Sequence, residues 1–189
     1  MIAYVRHTRE RASYLKEDVY HLVDDLKLGH VAFTIDSQIT VVPITIWRVG
    51  EFLYFHCANK GRMQKHLESG REVCVSFAEC TEWVMAKSAY HHSANYRSAV
   101  LFCRGERVID EDEFDAAFKV IINQIESDRW NEVRTPNKIE RKATALMKLT
   151  IDEGSFKSRT GEPSEEEEDL SLPVWHGTLP VCPFHDIEK

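Results

Sequence analysis

No stretch of the sequence approaches the roughly 20 consecutive apolar residues that cross a bilayer, and the opening MIAYVRHTRERASYLKED lacks the apolar segment of a secretion signal. Membrane insertion and export are not expected; a cytoplasmic location is. Cysteine is sparse and unpaired in pattern. Cys57, Cys74, Cys80, Cys103 and Cys182 are an odd number without a C-x-x-C pair, which argues against a disulfide framework and for a reducing compartment. A basic stripe is missing as well, with 24 Lys and Arg against 31 Asp and Glu, so no nucleic-acid partner is expected. Neither G-x-G-x-x-G nor G-x-x-x-x-G-K-[ST] occurs, so a Rossmann dinucleotide site or a phosphate-loop nucleoside triphosphatase is not expected. His91 and His92, with Cys74 and Cys80, do not have the ligand spacing of a zinc site, and no metal is expected.

What is present is a globular composition: 189 residues, 43% hydrophobic and 29% charged. That length is enough to bury a core without staples, and a single domain over residues 1–189 is expected. Much of the net charge of −7 is local, because Glu162 to Asp169 (EPSEEEED) holds six acids. This acidic loop, about residues 161–170, reads as solvated.

Leu15, Val19, Leu22, Val23 and Leu26 recur at helical spacing, predicting an N-terminal helix at about 13–27 with Ser13 as cap and Gly29 as stop. Thereafter the period changes. The segments 30–35, 39–47, 51–57, 71–77, 83–87 and 97–109 are rich in β-branched and aromatic residues and read as an antiparallel meander. Helices are expected at 61–69 and 112–127, where Phe114, Phe118, Ile121, Ile122 and Ile125 make an apolar stripe. Further strands are expected at 145–151 and 174–181. Pro43 falls inside an apolar strand and, having no N–H, belongs at an edge, a bulge or a ligand contact.

The first chemically suggestive segment is Phe55-His56-Cys57-Ala58-Asn59-Lys60-Gly61-Arg62-Met63-Gln64-Lys65, a strand feeding a helix. Arg62 and Lys65 share one face of the first turn. With Lys60, the flexible Gly61 and the free amides of a helix start, they describe a phosphate cradle; the same residues also suit an ordinary solvated helix.

Taken together, Gly29-His30-Val31-Ala32, Val42-Pro43-Ile44, Leu53-Tyr54-Phe55-His56, Gly61-Arg62 with Lys65, Tyr96-Arg97-Ser98-Ala99-Val100, Lys157 to Pro163 and Leu172 to Pro180 resemble the flavin-binding split-barrel proteins related to pyridoxamine 5'-phosphate oxidase. The likeness spans about residues 10 to 182 and is strongest to the branch with the nitroimidazole-resistance proteins. It implies a mainly β fold with flanking helices, a six-stranded antiparallel split β-barrel, assembled as a homodimer with FMN at the interface.

By the same resemblance, Val42, Pro43, Ile44 and Thr45 lie along the flavin. Tyr54, Phe55, His56 and Cys57 border it, Lys60, Gly61, Arg62 and Lys65 hold its phosphate, and Tyr96, Arg97 and Ser98 approach it. Trp175 either covers the ring or belongs to a core or interface, and Arg97 either compensates cofactor charge or makes a surface ion pair. His56 is the candidate proton donor, or else a hydrogen-bonded histidine beside the core.

The implied activity is an FMN-dependent oxidoreductase of small nitro, quinone or imine compounds. The alternative is a non-catalytic carrier of FMN, or of haem held by one of nine histidines. The chain departs from the vitamer oxidase at Cys182 to Lys189, which contains no arginine to clamp a substrate phosphate.

Overall fold

The computed structural model describes residues 4–181; the C-terminal stretch 182–189, with Cys182 and the arginine-free tail, lies outside the described residues. In chain order the elements are β1 (Ala12–Ser13), α1 (Lys16–Leu26), β2 (Leu28–Ile35), β3 (Gln38–Thr45), β4 (Trp47–Val49), β5 (Phe52–Ala58), α2 (Arg62–Glu68), β6 (Val73–Met85), β7 (Ser93–Arg107), α3 (Glu111–Ile125), α4 (Lys138–Ala143), β8 (Thr144–Arg159) and β9 (Gly177–Pro180). None of the helices among these residues is long and apolar enough to cross a membrane.

The strands form one antiparallel sheet in the order β3-β2-β6-β7-β8-β5-β4. Its two edge strands, β3 and β4, are separated in sequence only by Ile46. A chain that leaves one edge and enters the other within a single residue forces the sheet to curl, and the strands close into a barrel with a split instead of a ladder between β3 and β4. Ile46 sits at that corner, fully buried, its N–H donating to the carbonyl of Lys27 at 2.7 Å. Counted as one bent strand, β3–β4 with β2, β5, β6, β7 and β8 gives the expected six; β1 on β8 and β9 on β6 are short additions.

The barrel is filled by the inward rows Val31, Leu53, Phe55, Val75, Phe77, Leu101, Met147 and Leu149, and is plugged by Val19, Leu22 and Val23 of α1 and Met63 and Leu67 of α2. A second, smaller core lies outside, where Phe114, Ala117 and Ile121 of α3 cover Trp47, Tyr54, Val108 and Leu146. The apolar stripe of α3 is therefore packing at Phe114, Phe118 and Ile121, as its period indicated, whereas Ile125 at the helix end is exposed.

Several local features differ from the sequence reading, each for a physical reason. α1 starts at Lys16, since Ser13 is taken into β1 and its hydroxyl accepts the Leu15 N–H at 3.2 Å. The helix stops at Lys27, which itself adopts the left-handed region (φ 54°). Gly29 is a strand residue, and a Cβ there would lie 2.8 Å from Phe77 Cζ and 2.9 Å from Ile46 Cδ1; it is needed for close approach, not as a stop. The segments 71–77 and 83–87 fuse into the single strand β6, which continues through a bulge between Cys80 and Glu82. β8 runs well past Ile151 because the equally long β7 supplies partners as far as Arg159.

Asp36 and Ser37 join β2 to β3 with positive φ at both positions (48° and 66°), as a two-residue type I′ hairpin requires. Glycine suits the second position better than serine. Ser37→Gly should raise the unfolding free energy by up to about 1 kcal/mol in urea titration, with Asp36 left in place.

Candidate functional site

The passage from β5 to α2 is the cradle expected from sequence, and two of its amides are already engaged. The Gly61 N–H donates to the Ala58 carbonyl at 3.1 Å, and the Lys60 N–H, at a residue with φ 67°, donates to the Gln64 side-chain carbonyl. Gln64 is buried and completes its bonding through Glu68. The helix that follows is only seven residues long. Two amides ahead of α2 are thus taken up in the turn, and the charge offered there is carried by side chains.

Those side chains are well placed. Arg62 and Lys65 are exposed and, with Arg71, line a cavity of about 270 Å³ whose other walls include Thr34, Asp36 and His66. Among the described residues, Arg62, Lys65 and Arg71 make no ion pair or side-chain hydrogen bond. A second cavity of about 440 Å³ shares Thr34, Asp36, His66 and Arg71 with the first. It continues over Ala32, Cys74 and Phe102, which stand side by side on β2, β6 and β7 through the pairs Ala32↔Cys74 and Cys74↔Phe102. The two form one groove, cationic at the α2 end and apolar over the sheet.

His66 lies at the junction. It is 8% exposed, its ring is 5.3 Å from that of Phe33, and its Nε2 is 3.2 Å from the Glu72 carbonyl. A carbonyl can only accept, so Nε2 is the donor in this contact and Nδ1 is the ring nitrogen left to other partners. Burial and the neighbouring Glu72 push the Cys74 thiol above its ordinary value, so it meets the groove as a neutral thiol.

The other candidates from sequence are distributed as follows. On β3, Val42 and Ile44 pack against the barrel core, while Pro43 and Thr45 are exposed on the outer side. Phe55 is inside the barrel, and Tyr54 is in the outer core, its hydroxyl 3.2 Å from Glu113 and its pKa raised by burial. Cys57 is half-buried and raised by burial, with Arg107 opposing. His56 shares the outer face of β5, is exposed, and stands 6.3 Å from the Phe118 ring with no hydrogen bond among the described residues. It lines neither part of the groove.

Arg97 donates to Asp25 at 2.7 Å and to Glu79, which is the surface ion-pair arrangement. Tyr96 and Ser98 are half-buried on β7, Ser98 Oγ lying 3.3 Å from the Lys157 carbonyl. Arg71, His66 and Phe102 were not singled out from sequence, and Cys74 was weighed there only as a metal ligand. Only the cross-strand register brings them together.

Trp175 is 59% exposed and precedes β9 on a segment that is clasped to the loop after β6. Glu165, from the acidic run, is the clasp: its side chain is 6% exposed, accepts the Lys87 N–H at 2.9 Å and faces His176 Nδ1 at 3.0 Å. The run is thus partly anchored and not wholly solvated. Burial acts to raise the Glu165 pKa, but the Lys87 amide and His176 outweigh it and the value falls below the usual 4.5. A carboxyl depressed on folding stabilises fully above 4.5 and loses that contribution as pH falls through the lowered value. The melting-temperature gap between wild type and Glu165→Gln should therefore be widest near neutrality and close in acid.

Comparison with known proteins agrees with this architecture. A family model described as pyridoxamine 5'-phosphate oxidase matches residues 16–158. No curated protein matches the sequence. Among solved structures, the flavocytochrome Anf3 of Azotobacter vinelandii is 31% identical, with a TM-score of 0.87 over 98% of this chain and 89% of that one. A FAD and haem binding protein of Mycobacterium smegmatis is 27% identical, with a TM-score of 0.84 over 95% and 90%. A Bacteroides thetaiotaomicron candidate 5-nitroimidazole antibiotic resistance protein shares the fold at 17% identity and TM-score 0.63, over 82% and 95%. The extent of the family match, together with a split barrel whose edges meet at Ile46, means that this chain belongs to the pyridoxamine 5'-phosphate oxidase-like split-barrel family.

Proposed function

We propose that this chain binds a flavin, FMN by preference, and works as an oxidoreductase of small nitro, quinone or imine compounds. The observation that carries the reading is the groove, in which three cations without partners among the described residues open onto an apolar trough across β2, β6 and β7. Arg62, Lys65 and Arg71 would hold the phosphate by charge-assisted hydrogen bonds. Ala32, Cys74 and Phe102 would bed the ring and exclude water from one side, and His66 Nδ1 would accept from a hydroxyl of the linking chain. When bound, the flavin supplies hydride or electron transfer, while the protein sets position and access.

A homodimer belongs to this reading. Ile39 and Val41 are 76% and 54% exposed and lie beside exposed Pro43 on the outer side of β3, a face suited to cover by a second copy. His56 is assigned as the proton donor to reduced substrate, reached from across such an interface.

One observation favours a second reading, haem bound through His56. The two solved structures most like this one in sequence among those named are described as a flavocytochrome and a FAD and haem binding protein. His56 is itself an exposed imidazole beside an aromatic wall.

The visible spectrum of purified and reconstituted protein separates these readings, with mass analysis of the released cofactor to distinguish FMN from FAD. A flavin spectrum, with substrate reduction that falls in His56→Ala at matched occupancy, supports the first. A Soret band lost in His56→Ala while flavin is retained supports the second. If neither cofactor binds, both fail.

A further inference from the structure

Another cationic hollow lies away from the flavin groove and has no part in the reading above. It is a cavity of about 560 Å³ walled by Arg107 at the end of β7 with Val108 and Ile109 beyond it, the first turn of α3 (Glu111, Phe114), and Lys138, Arg141 and Lys142 of α4. We propose that it is a binding site for a nucleoside diphosphate.

Its size falls within the range of small-ligand sites, roughly 300–1,000 Å³. Its charge is opposite to that of the molecule: four cations face two carboxylates, Glu68 and Glu111, in a chain of net charge −7. The arginines are held in place. Arg141 donates from Nε to the Pro136 carbonyl at 3.2 Å, pairs with Asp115, and lies 5.0 Å over the Phe114 ring. Arg107 donates to Asn59 Oδ1 at 3.2 Å. Lys138 and Lys142, by contrast, make no side-chain hydrogen bond or ion pair among the described residues, leaving two ammonium groups available for an incoming anion.

The floor decides the ligand class. Val108 and Phe114, both buried, provide an apolar base, and the Arg141 guanidinium, which lines the cavity from over the Phe114 ring, is a partner suited to a planar ring. Glu68 and Glu111 can accept from ribose hydroxyls or an exocyclic amine. Inorganic phosphate would use the cations and leave the floor and both carboxylates idle; a nucleoside diphosphate uses all three.

The test is calorimetric titration of the full chain with ADP at low salt, with pyrophosphate in parallel. ADP should bind more tightly than pyrophosphate, and Lys138→Ala with Lys142→Ala should weaken it at least about tenfold while leaving the melting temperature unchanged. Arg62→Ala with Lys65→Ala should leave ADP binding unaltered. The proposal is overturned if ADP does not bind, if pyrophosphate binds as well, or if binding is lost in the Arg62 and Lys65 variant and kept in the Lys138 and Lys142 variant, which would move the ligand to the flavin groove. These outcomes do not depend on whether flavin binds.

Discussion

FMN binding weakened by on the order of 2 to 5 kcal/mol, some thirty- to several-thousandfold, is the expected result of replacing Arg62 and Lys65 together by alanine. Riboflavin binding should be nearly unchanged. Each side chain is asked for one charge-assisted bond to a phosphate, about 1.5 to 3 kcal/mol, and the solvent-exposed position of both places the outcome toward the lower end. Because neither has an ion-pair partner among the described residues, their removal should cost the fold little, so a lowered affinity at an unchanged melting temperature is the diagnostic pattern. Affinity for FMN should also decline with added salt more steeply in wild type than in the variant. Equal losses for FMN and riboflavin would take the phosphate away from α2.

Phe77→Ala should lower the unfolding free energy by about 3 to 5 kcal/mol. That is a large share of the roughly 5–15 kcal/mol that holds a domain together. Phe77 is fully buried in the barrel, and its ring tip occupies the space left by the missing Cβ of Gly29. The same contact makes Gly29→Ala destabilising, since the neighbours within 3 Å are an aromatic ring and the buried Ile46 side chain, neither free to move away. Combining Gly29→Ala with Phe77→Leu should recover part of the loss from each, a coupling readable by urea denaturation as a departure from additivity. Additive losses would mean that the two positions do not share one packing site.

Hydrophobic period carried most of the element sequence: α1, α3 and the strand after each turn follow from spacing alone. What period could not supply is how strands are joined and aligned. Ile46 looks like one more apolar residue in a strand, yet it is the corner at which two edges of the sheet meet. β6 was divided into 71–77 and 83–87, between which Glu79, Thr81 and Glu82 interrupt the apolar residues, whereas ladder bonds on both sides of a bulge keep the strand continuous.

The same limit applies to the groove. Arg62 and Lys65 are legible as a pair on one helical turn, but Ala32, Cys74 and Phe102 are adjacent only through register across three strands. His66 was hidden by its place in an amphipathic helix, and the cationic run 138–142 has no period that announces a cavity. Trp175 and the acidic run were separated in the reading, though Glu165 ties their segment to Lys87.

The outer rim of β3 bears on self-association. Among the described residues β3 is bonded only to β2, so its far side is a row of backbone groups open to strand addition by another molecule. Pro43 stands opposite His30 midway along it. Without an N–H it can occupy only a position whose donor would have pointed outward, which deletes one rung from any intermolecular ladder. The residue thus interrupts the template from which fibrillar aggregates would grow, at an edge that Ile39 and Val41 would otherwise make adhesive.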